Sequence, residues 1–139
     1  MTELTIHTDG GSRGNPGPSA CAFVAEEGDK ILFKENKFLG NQTNNYAEYQ
    51  GVILALNWLG SQKLITNRYL LITFFLDSEL IVRQLTGVYK VKDENLKKLH
   101  QEVTDIIAKT GMDIVFKNIP REQNKIADLL VNESLDTST

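Results

Sequence analysis

The most constraining stretch of this chain is Tyr69 to Leu76, whose last seven residues read Leu-Leu-Ile-Thr-Phe-Phe-Leu. A strand that is apolar at both odd and even positions must be covered on both faces, so it belongs inside a sheet sandwiched by helices. The rest of the chain supplies such a sheet. Leu4 to Asp9 alternates apolar and polar residues as a strand does, and Gly10 to Pro18, with four glycines and two prolines, reads as a turn-rich loop. Ala20 to Ala25 and Lys30 to Phe38 read as two more strands, and Gly28-Asp29 between them is a hairpin signal. These three strands form an antiparallel meander.

The period then changes. Asn44 or Asn45 can cap a helix with Ala47, Val52, Ile53, Ala55, Leu56 and Leu59 on one stripe, ending near Gly60-Ser61. After the buried strand, Ser78 to Leu85 reads as a helix stopped at Gly87. Asp93 to Ala108 is a second amphipathic helix, with Leu96, Leu99, Val103, Ile106 and Ile107 inward and Gly111 ending it. Met112 to Asn118 is the last strand and Asn124 to Leu135 the last helix, followed by a frayed tail over 136–139. The order βββαβααβα implies an α/β fold with an antiparallel hairpin edge, parallel strands after the crossovers, and helices on both faces. At 139 residues, residues 1–135 make one domain that can bury a core unaided.

Composition narrows the function classes. No apolar run reaches the length of a membrane span, and the polar start Met1-Thr2-Glu3 does not read as a signal peptide. The lone cysteine, Cys21, has apolar neighbours and reads as a buried thiol of a cytoplasmic protein. A net charge of −3 speaks against a nucleic-acid partner at first sight, but setting aside four clustered acids leaves a balance of +1. The charge permits a nucleic-acid enzyme without indicating one.

Most acids fall in turns or on polar helix faces. Four fall elsewhere: Asp9 where the first strand meets the glycine loop, Asp77 directly after the apolar strand, Glu48 early in the long helix, and Asp128 near the start of the last one. In open α/β sheets, sites form where strand ends and helix starts meet. Glu48 and Asp128 also have a plainer reading, as partners of helix dipoles. Gathered carboxylates need a cation, and hard oxygen ligands suit Mg2+ or Mn2+. Two such ions can activate water and steady the leaving oxygen in phosphodiester cleavage. Spacing makes this convergence reasonable without proving it.

The local strings go further. Thr8-Asp9-Gly10-Gly11-Ser12-Arg13-Gly14-Asn15-Pro16-Gly17-Pro18 closely resembles the opening motif of type 1 ribonuclease H. Thr43 to Gly51 is similar to the second motif, with its acid at Glu48; Leu76 to Val82 resembles the third and Ile119 to Leu129 the fourth. The four occur in family order and span nearly the whole chain. The resemblance, which is to a short form like that of archaeal-type members, implies a ribonuclease H-like fold. Its five-stranded mixed sheet has the first three strands antiparallel, and the first, fourth and fifth parallel. It implies an endoribonuclease that hydrolyses the RNA strand of RNA–DNA hybrids, leaving 5′-phosphate and 3′-hydroxyl ends. Asp9, Glu48, Asp77 and Asp128 would ligate two Mg2+ ions, with Mn2+ a possible substitute. Gly10, Gly11, Ser12, Asn15, Asn44 and Glu79 match positions that grip consecutive 2′-hydroxyls of the RNA strand. The plainer roles are turn formation for the glycines and helix capping for Asn44. Thr43 matches a residue holding a DNA-strand phosphate, and Tyr89 lies near an aromatic that runs along the DNA strand, although packing would also explain it.

This sequence departs from many relatives in three ways. The loop before the final acid lacks a histidine, leaving Arg121 as the nearest ionisable substitute in catalysis or as an ordinary exposed arginine. Asp93 stands where an asparagine often completes the phosphate pocket. Val88-Tyr89-Lys90-Val91-Lys92 replaces a basic protruding helix, and no hybrid-binding domain precedes the nuclease. The expectation is a monomeric enzyme with weaker, more salt-dependent substrate binding. Two other readings stay open: a related nuclease that also cuts double-stranded RNA or serves integrase-like chemistry, and a non-catalytic hybrid-binding module. The presence of all four acids argues against the last.

Overall fold

The computed structural model describes residues 2–62 and 69–138; Met1 and Thr139, the ends of the expected N-terminus and tail, lie outside the described residues. Its strands are β1 (Thr2–Ser12), β2 (Gly17–Glu27), β3 (Lys30–Gln42), β4 (Tyr69–Leu76) and β5 (Ile114–Asn118). Its α-helices are α1 (Asn44–Ser61), α2 (Glu79–Leu85), α3 (Glu94–Thr110) and α4 (Lys125–Ser138), with a 3-10 turn over Arg121–Gln123. The sheet order is β3-β2-β1-β4-β5. β1, β2 and β3 are antiparallel, while β1, β4 and β5 run parallel, so the expected mixed sheet is present.

β4 lies between the central β1 and the edge strand β5, and the expectation of cover on both faces is met on one. Ile72, Phe74 and Leu76 are buried in the main core, whereas Leu71 and Phe75 on the other face are half-buried, because α4 packs on β1, β2 and β3. Alternating side chains along β2 divide between two clusters, as a pleated strand requires. Phe23 and Ala25 join the main core with Leu56, Leu59, Phe74 and Leu99, under α1 and α3. Ala20, Ala22 and Val24 join Ala127, Leu130, Val131 and Leu135 of α4 on the other face. Each fully buried Leu or Phe of these layers contributes ~1.5–3 kcal/mol. Cys21 is buried as expected, and burial pushes its thiol up to about 12, which leaves it protonated and unreactive at neutral pH. Among the described residues no helix is long and apolar enough to cross a membrane.

Four local expectations change. The Gly10 to Pro18 stretch is only partly a loop: Gly10, Gly11 and Ser12 continue β1, and Gly17 and Pro18 begin β2, because Ser12 pairs with Ser19 at the end of the ladder. Thr43, not Asn44 or Asn45, caps α1; its hydroxyl accepts from the Tyr46 N–H at 3.2 Å. The last strand starts at Ile114, after Gly111 in the left-handed region (φ 66°) has ended α3. Residues 136–138, expected to fray, are wound into α4, and Asp136 is bound by Arg13 at 2.6 Å.

Candidate active site

The pairing of β1 with β4 stops at His7–Phe75, whereas its pairing with β2 runs on to Ser12. Beyond His7 one flank of β1 is therefore uncovered, and Asp9 is the second residue into that gap. Asp77 follows the last residue of β4 and faces the same gap. This is a strand-order switch of the kind where α/β sheets build sites. Asp9 is not at a strand end, as its position before the glycines suggested; the neighbouring strand ends instead.

Glu48 reaches the gap from α1 because two glycines let that helix approach the sheet closely. A Cβ on Gly10 would lie 2.2 Å from the Ala47 carbonyl carbon and 2.4 Å from the Glu48 nitrogen. A Cβ on Gly51 would lie 2.8 Å from the Asp9 carbonyl oxygen. With no side chain between them, the Gly10 N–H donates to Glu48 Oε1 at 2.7 Å. Candidate ligand oxygens of Asp9, Glu48 and Asp77 lie within 4.8 Å of one another. Asp128, in the first turn of α4, lines the same cleft from the opposite face but stands outside this tight triad.

Asp9 and Glu48 are only 5% and 6% exposed, which is unusual for two adjacent acids. Burial pushes Asp9 up to about 7; hydrogen bonding from Glu48 opposes the rise, the charges of Asp77 and Asp128 add to it, and the Gly10 N–H opposes it again. Glu48 is raised well above the carboxylate range, first by burial and then by the charge of Asp9. Glu48 Oε2 is buried with no hydrogen-bond partner. An orphaned carboxylate oxygen beside two further acids is the donor set of a divalent cation, which would offset both the repulsion and the desolvation.

The rim is stitched by short polar side chains. The Ser12 N–H donates to Asn44 Oδ1 at 2.8 Å, and the Asn44 N–H donates to Asn15 Oδ1 at 3.0 Å. Asn44 is thus a brace between α1 and the β1–β2 loop, not a cap. The Ser12 hydroxyl meets the carbonyls of Gly14 and Gln42. Gly10, Gly11, Ser12, Asn44 and Arg121 all line the acidic cleft. Glu79 opens α2 with its side chain exposed and paired to Arg83 at 3.3 Å. Tyr89 lies away from the acids, in a separate groove with Lys90, Lys97 and His100; the Arg83 guanidinium stands 5.4 Å above its ring.

Beside the acidic cleft, a cavity of about 280 Å3 is lined by Asn15, Gln42, Thr43, Asn45, Tyr46, Asp93, Asn95 and Leu96. Asp93 spends a carboxylate oxygen on capping α3, accepting from the Leu96 N–H at 3.0 Å. Asn95, which the sequence reading passed over, brings an amide into the same cavity. Asn124, read from the sequence only as the start of the last helix, is buried and its amide donates to Asp77 Oδ2 at 3.3 Å; an asparagine four residues before an acid at the same helix start is a weak signal of that contact.

Comparison with known proteins agrees with this geometry. Residues 7–134 match the family model described as reverse transcriptase-like. The chain is 36% identical over 130 residues to the ribonuclease HI of Halobacterium salinarum, covering 92% of this chain and 62% of that protein. It is 35% identical over 138 residues to a bifunctional protein of Mycobacterium tuberculosis, covering 98% of this chain and 36% of that one. The chain therefore spans 36 to 62% of these curated relatives' lengths. Among solved structures it resembles LC11-RNase H1 from compost at 41% identity and a TM-score of 0.93, covering 99% of each chain. It also resembles that enzyme in complex with RNA/DNA hybrid, at 40% identity and a TM-score of 0.89, covering 97% of this chain and 98% of that one.

Proposed function

Because the chain belongs to the type 1 ribonuclease H family, we propose that it is an endonuclease hydrolysing the RNA strand of RNA–DNA hybrids. The observation that carries the reading is the convergence of Asp9, Glu48 and Asp77 within 4.8 Å at the uncovered flank of β1, with Asp128 facing them. Asp9, Glu48, Asp77 and Asp128 would hold two Mg2+ ions, with Mn2+ a workable substitute, since their oxygens are hard ligands. When bound, such ions neutralise the acids, lower the pKa of water and stabilise charge on the leaving oxygen. Water adds to phosphorus and the P–O3′ bond breaks, giving 5′-phosphate and 3′-hydroxyl ends.

The protein's own part is placement. The Gly10 N–H holds Glu48 by one oxygen and leaves the other buried without a hydrogen-bond partner. Gly10 and Gly11 line the cleft with backbone while their bare Cα faces admit α1 and α4, and with Ser12, Asn15, Asn44 and Glu79 they present polar groups to 2′-hydroxyls, which only RNA carries. Thr43 and Asn95 line the cavity that would take a phosphate of the DNA strand, weakly, because the Asp93 carboxylate lines it too and no basic side chain does, and Tyr89 offers an aromatic face farther along that strand. Arg121 lines the cleft where relatives carry a histidine, and its cation is suited to help the cleaved phosphate leave. We take residues 1–135 to be one catalytic domain acting as a cytoplasmic monomer, in keeping with its inert buried thiol. The test is cleavage of matched hybrid, RNA duplex and DNA duplex with Mg2+ or Mn2+. Hybrid alone should be cut, and Asp77→Asn should abolish cutting; an Asp77→Asn protein that still cuts hybrid refutes the assignment.

A further inference from the structure

Outside the carboxylates, a buried amide joins the elements of the site. Asn124 directly precedes α4 and is 1% exposed, so it cannot touch a substrate. Its Nδ2 donates to the Thr8 carbonyl at 2.9 Å and to Asp77 Oδ2 at 3.3 Å. Its own carbonyl accepts the Asp128 N–H at 3.1 Å, opening the helix. Thr8 precedes Asp9 in β1. One residue therefore contacts Asp77 directly, Asp9 through the adjacent backbone, and Asp128 through the first turn of α4. The amide has only one workable orientation, because the opposite flip would aim its oxygen at two acceptors. Its Oδ1 is buried without a partner, so this side chain is held for what its donor does.

Resting on the metal reading above, we propose that Asn124 is a positioning residue for the cation cluster, fixing the Asp77 carboxylate and the spacing between β1, β4 and α4. A carboxylate hydrogen-bonded at one oxygen is restrained in rotation, and partners of that kind typically change metal affinity 10–100-fold. Without the amide, Asp77 turns freely, and the acids of β1 and α4 lose a shared anchor.

Asn124→Ala removes the amide, and Asn124→Leu removes it while keeping similar shape, so a cavity effect in the first is separated by the second. Calorimetric titration of the full chain with Mn2+ should show roughly 10–100-fold weaker binding in both variants. Hybrid affinity measured in a chelator should stay within about twofold, and the kcat defect should be recovered by excess Mn2+ with KM for hybrid unchanged. Folding is checked by circular dichroism. A folded variant that binds Mn2+ as tightly as the unmodified chain overturns the positioning role and leaves the nuclease reading standing, even if the variant is less stable. An unmodified chain that takes up no Mn2+ overturns both.

Discussion

Replacing Asp9 by Asn should stabilise the metal-free protein at neutral and alkaline pH, although it removes a group of the site. Asp9 rises from its ordinary 3.8 to about 7 because the fold buries it among other acids. The folded chain therefore binds this proton more tightly than the unfolded chain does. Its stability from this group is greatest below pH 3.8, falls as pH climbs from there to about 7, and is flat above. At about 1.4 kcal/mol per tenfold change in proton affinity, the ionised Asp9 costs the metal-free fold up to ~4 kcal/mol at pH 8. Glu48 acts in the same direction. Asparagine keeps the shape and removes the charge, so Asp9→Asn should gain ~2–4 kcal/mol over the unmodified chain at pH 8 and almost nothing near pH 4. Urea unfolding in a chelator, followed by fluorescence of Trp58, reads this directly. With a slope of ~2 kcal/mol per molar, the midpoint should rise by ~1–2 M at pH 8. Divalent metal should reverse the order, since a ligand at 100 times its Kd adds ~2.7 kcal/mol to the chain that binds it. If the midpoint difference between the two proteins is the same at pH 4 and pH 8, the burial argument for this cluster is refuted.

Two further predictions concern the frame of the site. Gly10→Ala would set a methyl 2.2 Å from the Ala47 backbone, so α1 must lift from the sheet; a loss of ~3 kcal/mol or more in thermal or urea unfolding is expected, with weaker Mn2+ binding as Glu48 withdraws. An Ala variant as stable as the unmodified chain would show that the close approach is not required. Arg121→Ala should lower kcat by ~10-fold, about 1.4 kcal/mol, in steady-state cleavage of hybrid while KM stays constant. A loss confined to KM would assign Arg121 to affinity alone.

The elements were readable because their signals are local. The apolar Tyr69 to Leu76 run is the interior strand β4, one place from the centre, the stripe from Ala47 to Leu59 is the buried face of α1, and Gly111 ends α3 as its position implied. The misreadings share one cause, which is that a pairing partner or an anchor lies far away in sequence. Gly10 to Ser12 looked like a loop until β2 paired with it, and Asp136 looked loose until Arg13 reached it. Asn44 looked like a cap because Thr43 and Asn44 are both good caps, and only the position of Ser12 decides which of them is needed to brace the loop.

The four carboxylates illustrate the division. By itself the sequence determined which acids were out of place, because an acid after an apolar strand or inside a glycine motif is visible in one dimension, and the ordered motifs named the family. Only the tertiary structure decided how the acids meet. β4 ends before β1 does and leaves a flank open, two glycines let α1 bring Glu48 over that flank, and Asn124 ties the strands to the helix carrying Asp128. The buried carboxyls acquire their raised proton affinities from that convergence, since desolvation and mutual repulsion depend on distances in space that no spacing along the chain encodes.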